Sequence, residues 1–226
     1  SLLSYVQNGR RPEEVVVYFM ATGSGPCRFG QYSIFMEDLV RRMRIPDVAL
    51  LTLSSDNSYV GMDKNFERHA WWAVIVSDVM EDIRSMLLAA ALDPAGAMTA
   101  FEEQWRQILA AMERADFKVL TAQLARSAER LKAIALRRPP RTVPTVTLSG
   151  EIFVRRDGLS RQYLTERLAR RGFATVCAPV AEWVHYCNYL VENGFNQAPL
   201  SALQKFKLKL RNFFQGRYET TIKEIL

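Results

Sequence analysis

An α/β fold, built on a mainly parallel sheet and interrupted by a long helical insertion, is what this sequence predicts. Three observations carry that reading. Residues 15–20 and 48–53 are short apolar runs rich in β-branched side chains, separated by a glycine loop and one helical pattern. That is the order of a βαβ unit, whose strands pair in parallel. Residues 64–136 then hold only helical periodicity, and past Arg137-Arg138-Pro139-Pro140-Arg141 the strand–loop–helix–strand rhythm resumes.

Each element follows from its residues. Val15-Val16-Val17-Tyr18-Phe19-Met20 reads as a buried strand. Ile34, Phe35, Leu39 and Met43 keep helical spacing until Pro46 stops the helix, and Val48-Ala49-Leu50-Leu51-Thr52-Leu53 is the second strand. Three helices follow: one through Val74, Val79, Ile83 and Leu87, one opened by Pro94, and one through Phe117, Leu120, Leu124 and Leu131. A strand at 145–148, a loop from Gly150 to Gly158, a helix through Leu159, Tyr163 and Leu168 and a strand at 173–177 complete the α/β part. Pro179 precedes a helix through Trp183, Tyr186 and Leu190. The tail, with Leu200, Leu203, Phe206, Leu210 and Phe213, is long enough to favour helix over strand. The expected division is an α/β domain from 1–63 and 142–195, a helical insertion with its linker at 64–141, and a C-terminal helical tail at 196–226.

Composition bounds the function. The chain has 226 residues, 49% hydrophobic and 24% charged, enough for a sizeable core. No apolar run reaches the ~18 residues of a membrane span, and no signal pattern opens the chain, so no membrane partner is expected. Three cysteines are too few for a disulfide framework and point to a reducing, cytoplasmic setting. The net charge of +6 is concentrated in residues 126–141 and 205–217, with a net acidic remainder. That distribution argues against nucleic acid, and the basic tail reads as a solvated face or a docking surface for other domains. A chain opening on Ser1 and closing on Leu226 inside a helical pattern is expected to be a piece of a longer polypeptide.

The loop Gly23-Ser24-Gly25-Pro26-Cys27-Arg28 carries the most chemistry. It lacks the third glycine of a dinucleotide fingerprint and the Gly-Lys-Ser/Thr of a P-loop, and Pro26 removes a phosphate-binding N–H. A Cys–His hydrolase would need a histidine motif, which neither His69 nor His185 provides. Cys27 lies between a strand's carboxyl end and a helix start, where Arg28 and the helix N–H groups favour the thiolate. Glycines such as Gly25 leave room for a bulky ligand. Metal or iron–sulfur ligation and a structural turn cysteine both fit this position.

Other candidates follow strands. Ser55, Asp56 and Asn57 would line the same crevice, as hydrogen-bonding groups or as a helix N-cap cluster. Glu151 is a candidate acid or base, an ion-pair partner of Arg155, or a solvated loop carboxylate. Arg155, Arg156 and Arg161 are phosphate-binding candidates or a solvated basic loop. Asp78, Glu81, Asp82 and Arg84 read as an exposed helical face with local charge pairs. His69, His185 and Cys187 read as structural.

The runs ATGSGPCRFGQY, TLSSDNSY, SDVMEDIRS, GEIFVRRDGLSRQYL and APVAEW, in that order, resemble the 2-hydroxyglutaryl-CoA dehydratase and benzoyl-CoA reductase superfamily. The closest resemblance is to the dehydratase-like C-terminal region of large CoA-substrate-specific enzyme activase proteins, over about residues 15–192. The resemblance implies Rossmann-like domains in α/β/α layers, a 4Fe-4S cluster held by cysteines, and an ATP-dependent activator that supplies one low-potential electron. It also implies anaerobic metabolism, an acyl-CoA substrate reduced to a radical that expels water, and Cys27 as a cluster ligand. Cys177, at the end of the last strand, is the second candidate metal ligand; Ser55 and Glu151 are the candidate catalytic residues, and Gly25, Arg28, Asp56 and Asn57 would line the cofactor. Too few cysteines stand in motifs to complete a cluster, so upstream domains of the same polypeptide would supply the rest. The isolated chain is expected to be inactive, and the alternative is a non-catalytic scaffold or interaction domain that retains the fold.

Overall fold

The computed structural model describes residues 2–23, 28–54, 62–195 and 201–226. It is mixed α/β and dominated by helix, and its residues cluster into two compact units, 1–63 with 186–205 and 64–185 with 206–226.

In the first unit, α1 (Leu2–Asn8) precedes β1 (Val16–Thr22), α2 (Phe29–Arg42) and β2 (Val48–Ser54). β1 and β2 pair in parallel from Val16 opposite Val48 to Thr22 opposite Ser54, as the βαβ order requires. Arg44 and Asp47, both at positive φ, make the turn after α2. α2 lends Leu39 and Val40 to partial burial, while Val15, just before the first strand, and Val17 and Phe19 on it stay exposed at alternate positions. The sheet therefore has a large apolar side that its own unit leaves open.

In the second unit, α3 (Lys64–Ala90), α4 (Pro94–Glu113) and α5 (Phe117–Lys132) are followed by β3 (Thr145–Leu148), α6 (Ile152–Arg156), α7 (Leu164–Ala169) and β4 (Ala174–Cys177). α8 (Val180–Glu192) and α9 (Ala202–Ile225) each carry residues of both units. Asp93 and Asp116 cap α4 and α5 through two backbone N–H groups apiece. Trp71, Trp72, Ile75, Val76 and Met80 of α3 pack with Ile108, Leu120, Leu124 and Ile222 in the main core. Trp72, Phe117 and Tyr218 meet in tilted and edge-to-face contacts with ring centroids 4.7 to 5.4 Å apart. A helix apolar on several sides belongs at the centre of its unit, and α3 does.

Among the described residues the expected single sheet is two sheets of two strands each, β1–β2 and β3–β4. The reason lies at the edge of β4. Ala174 and Ala178 donate to Pro144 and Leu148 on the β3 side. The N–H groups of Thr175 and Cys177, on the other edge, donate to Ser85 Oγ at 2.6 Å and Asp82 Oδ1 at 3.3 Å. Side chains of α3 thus take the bonds that another strand would have taken. Accordingly residues 142–185 cluster with 64–141, not with 1–63.

Other details also differ from expectation. The loop after β3 contains α6, capped by Glu151. The helix expected from Leu159 begins only at Leu164, because Gln162 and Tyr163 have positive φ. The linker is fastened: Leu92 and Ala135 bond through their backbones, as do Arg137 and Ala90, and Arg138 reaches the Gly172 carbonyl at 2.6 Å.

Candidate functional site

Parallel pairing brings Thr22 and Ser54 side by side at the carboxyl end of the first sheet, so the two motif loops leave from neighbouring strand ends. Of the residues expected there, Gly25, Cys27, Ser55, Asp56 and Asn57 lie outside the described residues. Arg28 is exposed immediately before α2. Gly30 follows from packing: a Cβ there would collide with the Gly23 carbonyl. Thr22 Oγ1 donates to the Gly30 carbonyl at 3.4 Å and receives Ser33 Oγ at the same distance. The start of α2 is thereby held against the end of β1.

The other two expected residues lie at the carboxyl end of the second sheet. Glu151 does not pair with Arg155; its carboxylate accepts the Val154 N–H at 2.9 Å and caps α6. Arg155 instead donates to the Gly150 carbonyl at 2.6 Å and the Pro179 carbonyl at 3.3 Å. It pins the β3–α6 and β4–α8 connections together. Cys177 is buried, and its thiol donates to the Arg155 carbonyl at 3.5 Å. Burial pushes that thiol up in pKa despite Arg156, Arg155 and Arg161 nearby. With four strands divided between two sheets, the premise that Cys27, Ser55, Asp56, Glu151 and Cys177 share one sheet edge is lost.

The densest chemistry is on α3, and it is not the exposed face the sequence suggested. Asp78 is buried and accepts from three donors: the Arg156 guanidinium, and the N–H groups of Val180 and Ala181, each at 3.0 Å. Pro179 has no side-chain acceptor for the start of α8, so Asp78 supplies the missing cap from another element. Arg161 pairs with Glu81 and Arg84 with Glu166, each at 2.8 Å. Burial raises the carboxyl pKa of Asp82, against the Cys177 N–H and Arg156. For Glu166 burial is the largest single influence and also acts upward, but the Arg84 hydrogen bond, its own backbone N–H and the charges of Arg84 and Arg161 together outweigh it, and the net shift is downward. Below them Ser85, Thr165 and Thr175 share buried hydroxyl contacts of 2.9 Å. Arg156 and Arg161, expected to receive phosphate or to lie solvated, are spent on carboxylates.

The missed signal was complementarity. Asp78, Glu81, Asp82 and Ser85 recur at spacings of three and four, one helical face, and Arg155, Arg156 and Arg161 form its basic counterpart. Two open grooves, of about 320 and 440 Å³, flank this network and share Ser77, Trp105 and Arg156. Both have mixed apolar and charged walls, and no carboxylate among Asp78, Glu81 and Glu166 is left without an arginine to face.

The histidines are structural. His185 bonds Glu219 at 2.7 Å and sits edge-on to Trp71, and His69 lies against Trp72 at 4.8 Å. Cys187 is buried. Among the described residues there is no group of three or more His, Cys, Asp or Glu side chains that could hold a metal ion, and no helix long and apolar enough to cross a membrane. No family model, curated protein or solved structure matches the chain.

Proposed function

We propose that the chain is one α/β domain of an iron–sulfur 2-hydroxyacyl-CoA dehydratase- or reductase-like protein, cytoplasmic and fed electrons by an ATP-dependent activator. It would lend Cys27 to a 4Fe-4S site whose other ligands come from upstream domains of the same polypeptide. The observation behind this reading is the register that sets Thr22 beside Ser54, since the two loops with the strongest motif resemblance depart from those strand ends. Gly25, Arg28, Ser55, Asp56 and Asn57 belong to the same proposed wall. No group of three or more possible metal ligands forms among the described residues, so a cluster would need ligands beyond them; Cys177 as a second ligand and Glu151 as an acid or base belong to the proposal, at the end of the other sheet. A cluster bound there would supply a single electron to an acyl-CoA thioester. Rossmann-like α/β/α layering belongs to the proposal as well: the exposed Val15, Val17 and Phe19 mark the side that a further layer would cover.

The test is anaerobic reconstitution of the intact polypeptide, wild type against Cys27→Ala, with iron content and reduced-state paramagnetic resonance as readouts. Loss of iron in the variant supports the assignment; an unchanged cluster refutes it. A second reading is an interaction domain that keeps the fold without a cluster. It is favoured by the structural commitment of Glu151, Cys177, Arg155, Arg156 and Arg161, and wild-type protein that binds no iron would establish it.

A further inference from the structure

One helix face remains unexplained by this reading. On α9, Phe206, Leu210, Phe213 and Phe214 are between 47% and 65% exposed. At the helical step of about 100° per residue they fall within an arc of about 100°, a continuous apolar stripe. Lys207 and Arg211 border it on one flank and Lys209 on the other, and Arg217 continues it by one turn. Residues 205–217 contain no acid at all.

The opposite side of the helix is occupied. Leu208 points away from the stripe and is buried, and the Gln215 carbonyl accepts a hydrogen bond from Trp71 Nε1 at 3.0 Å. Further along, Tyr218 and Ile222 are part of the core. A groove that wraps a helix from both sides has no access to α9. What fits is a broad surface that takes aromatic and aliphatic side chains along one line and offers negative charge on both sides of it.

We propose that this face of α9 lies on the anionic headgroup region of a phospholipid bilayer. Phe206, Leu210, Phe213 and Phe214 enter the boundary between headgroups and acyl chains, and the exposed Lys207, Lys209 and Arg217 meet lipid phosphates and carboxylates. No spanning helix is needed, since the contact is peripheral. It departs from the expectation, drawn from the absence of a long apolar run, that the chain meets no membrane.

The test is co-sedimentation of the chain with vesicles of phosphatidylcholine alone and of phosphatidylcholine with phosphatidylserine. Partition into the anionic vesicles is expected, weakening as salt is raised, with little binding to the neutral ones. Lys207→Glu combined with Lys209→Glu should lower partition about tenfold or more, and Phe206→Ser combined with Phe213→Ser should do the same. These side chains are exposed, and an unchanged melting temperature confirms that each variant folds. Absence of anionic-vesicle binding, or binding unaffected by both pairs, overturns the proposal. An interface for an acidic protein would give the first of these outcomes. Because Cys27 has no part in it, the result is independent of the iron assay.

Discussion

Removing the carboxylate of Asp78 strands the Arg156 guanidinium and two N–H groups of α8 at once. Breaking a buried pair from one side costs about 3–5 kcal/mol, so Asp78→Ala should lower unfolding stability by that amount in urea titrations. Asp78→Asn keeps an acceptor and should lose less. Two other carboxyls give stability opposite dependences on pH. For Asp82, burial makes the folded state hold its proton more tightly than the unfolded chain does. Its contribution therefore declines as pH rises from the ordinary carboxylate value, about 4, through the raised folded value. Asp82→Asn should flatten that part of the profile. Glu219 runs the other way: burial pushes it up, but hydrogen bonds from Lys223 and His185 prevail and its net shift is downward. Its stabilisation is present above the unfolded carboxylate value and fades as pH falls through the folded one, and Glu219→Gln should remove that acid-side loss.

At the scale of elements, β4 is held at one edge by a strand and at the other by a helix. Ser85→Ala leaves the buried Thr175 N–H without its acceptor, at a cost of about 1–3 kcal/mol. Hydrogen exchange should show Thr175 as the amide of β4 that loses most protection. The same edge marks the limit of what the sequence revealed. Strands at 48–53, 145–148 and 173–177 and the helices opened by Pro94 and running through Phe117 were legible because periodicity and proline placement are local. Which edge a strand pairs through is not local. The bonds that divide the sheet come from Asp82 and Ser85, about ninety residues before their partners, so a local reading saw polar positions on a helix. Glu151 was read as an acid or base, an ion-pair partner or a solvated carboxylate because it follows a strand, whereas its position just ahead of Ile152 makes it a cap. The loops with Cys27 and Asp56 remain, as in the sequence, the part that chemistry singles out.

Over the whole molecule, the two units differ in how much apolar surface they close. The second has a core built on Trp72, Ile75, Ile108, Leu120 and Leu124, while the first leaves Val15, Val17 and Phe19 exposed beside its two strands. Hydrogen exchange should therefore be slowest in α3 and α5 and markedly faster in β1 and β2. Comparable protection in all four elements would contradict this. The long reach of α3 also matters while the protein is being made. Asp78 waits for donors 102 and 103 residues downstream. At typical translation rates that interval is roughly 5 to 20 s, during which the emerging helix carries carboxylates and hydroxyls whose partners do not yet exist. The nascent second unit cannot close until β4, the start of α8 and the α9 residues Tyr218 and Ile222 have been made, so this stretch of synthesis is when the chain most needs a chaperone and is most open to proteolysis.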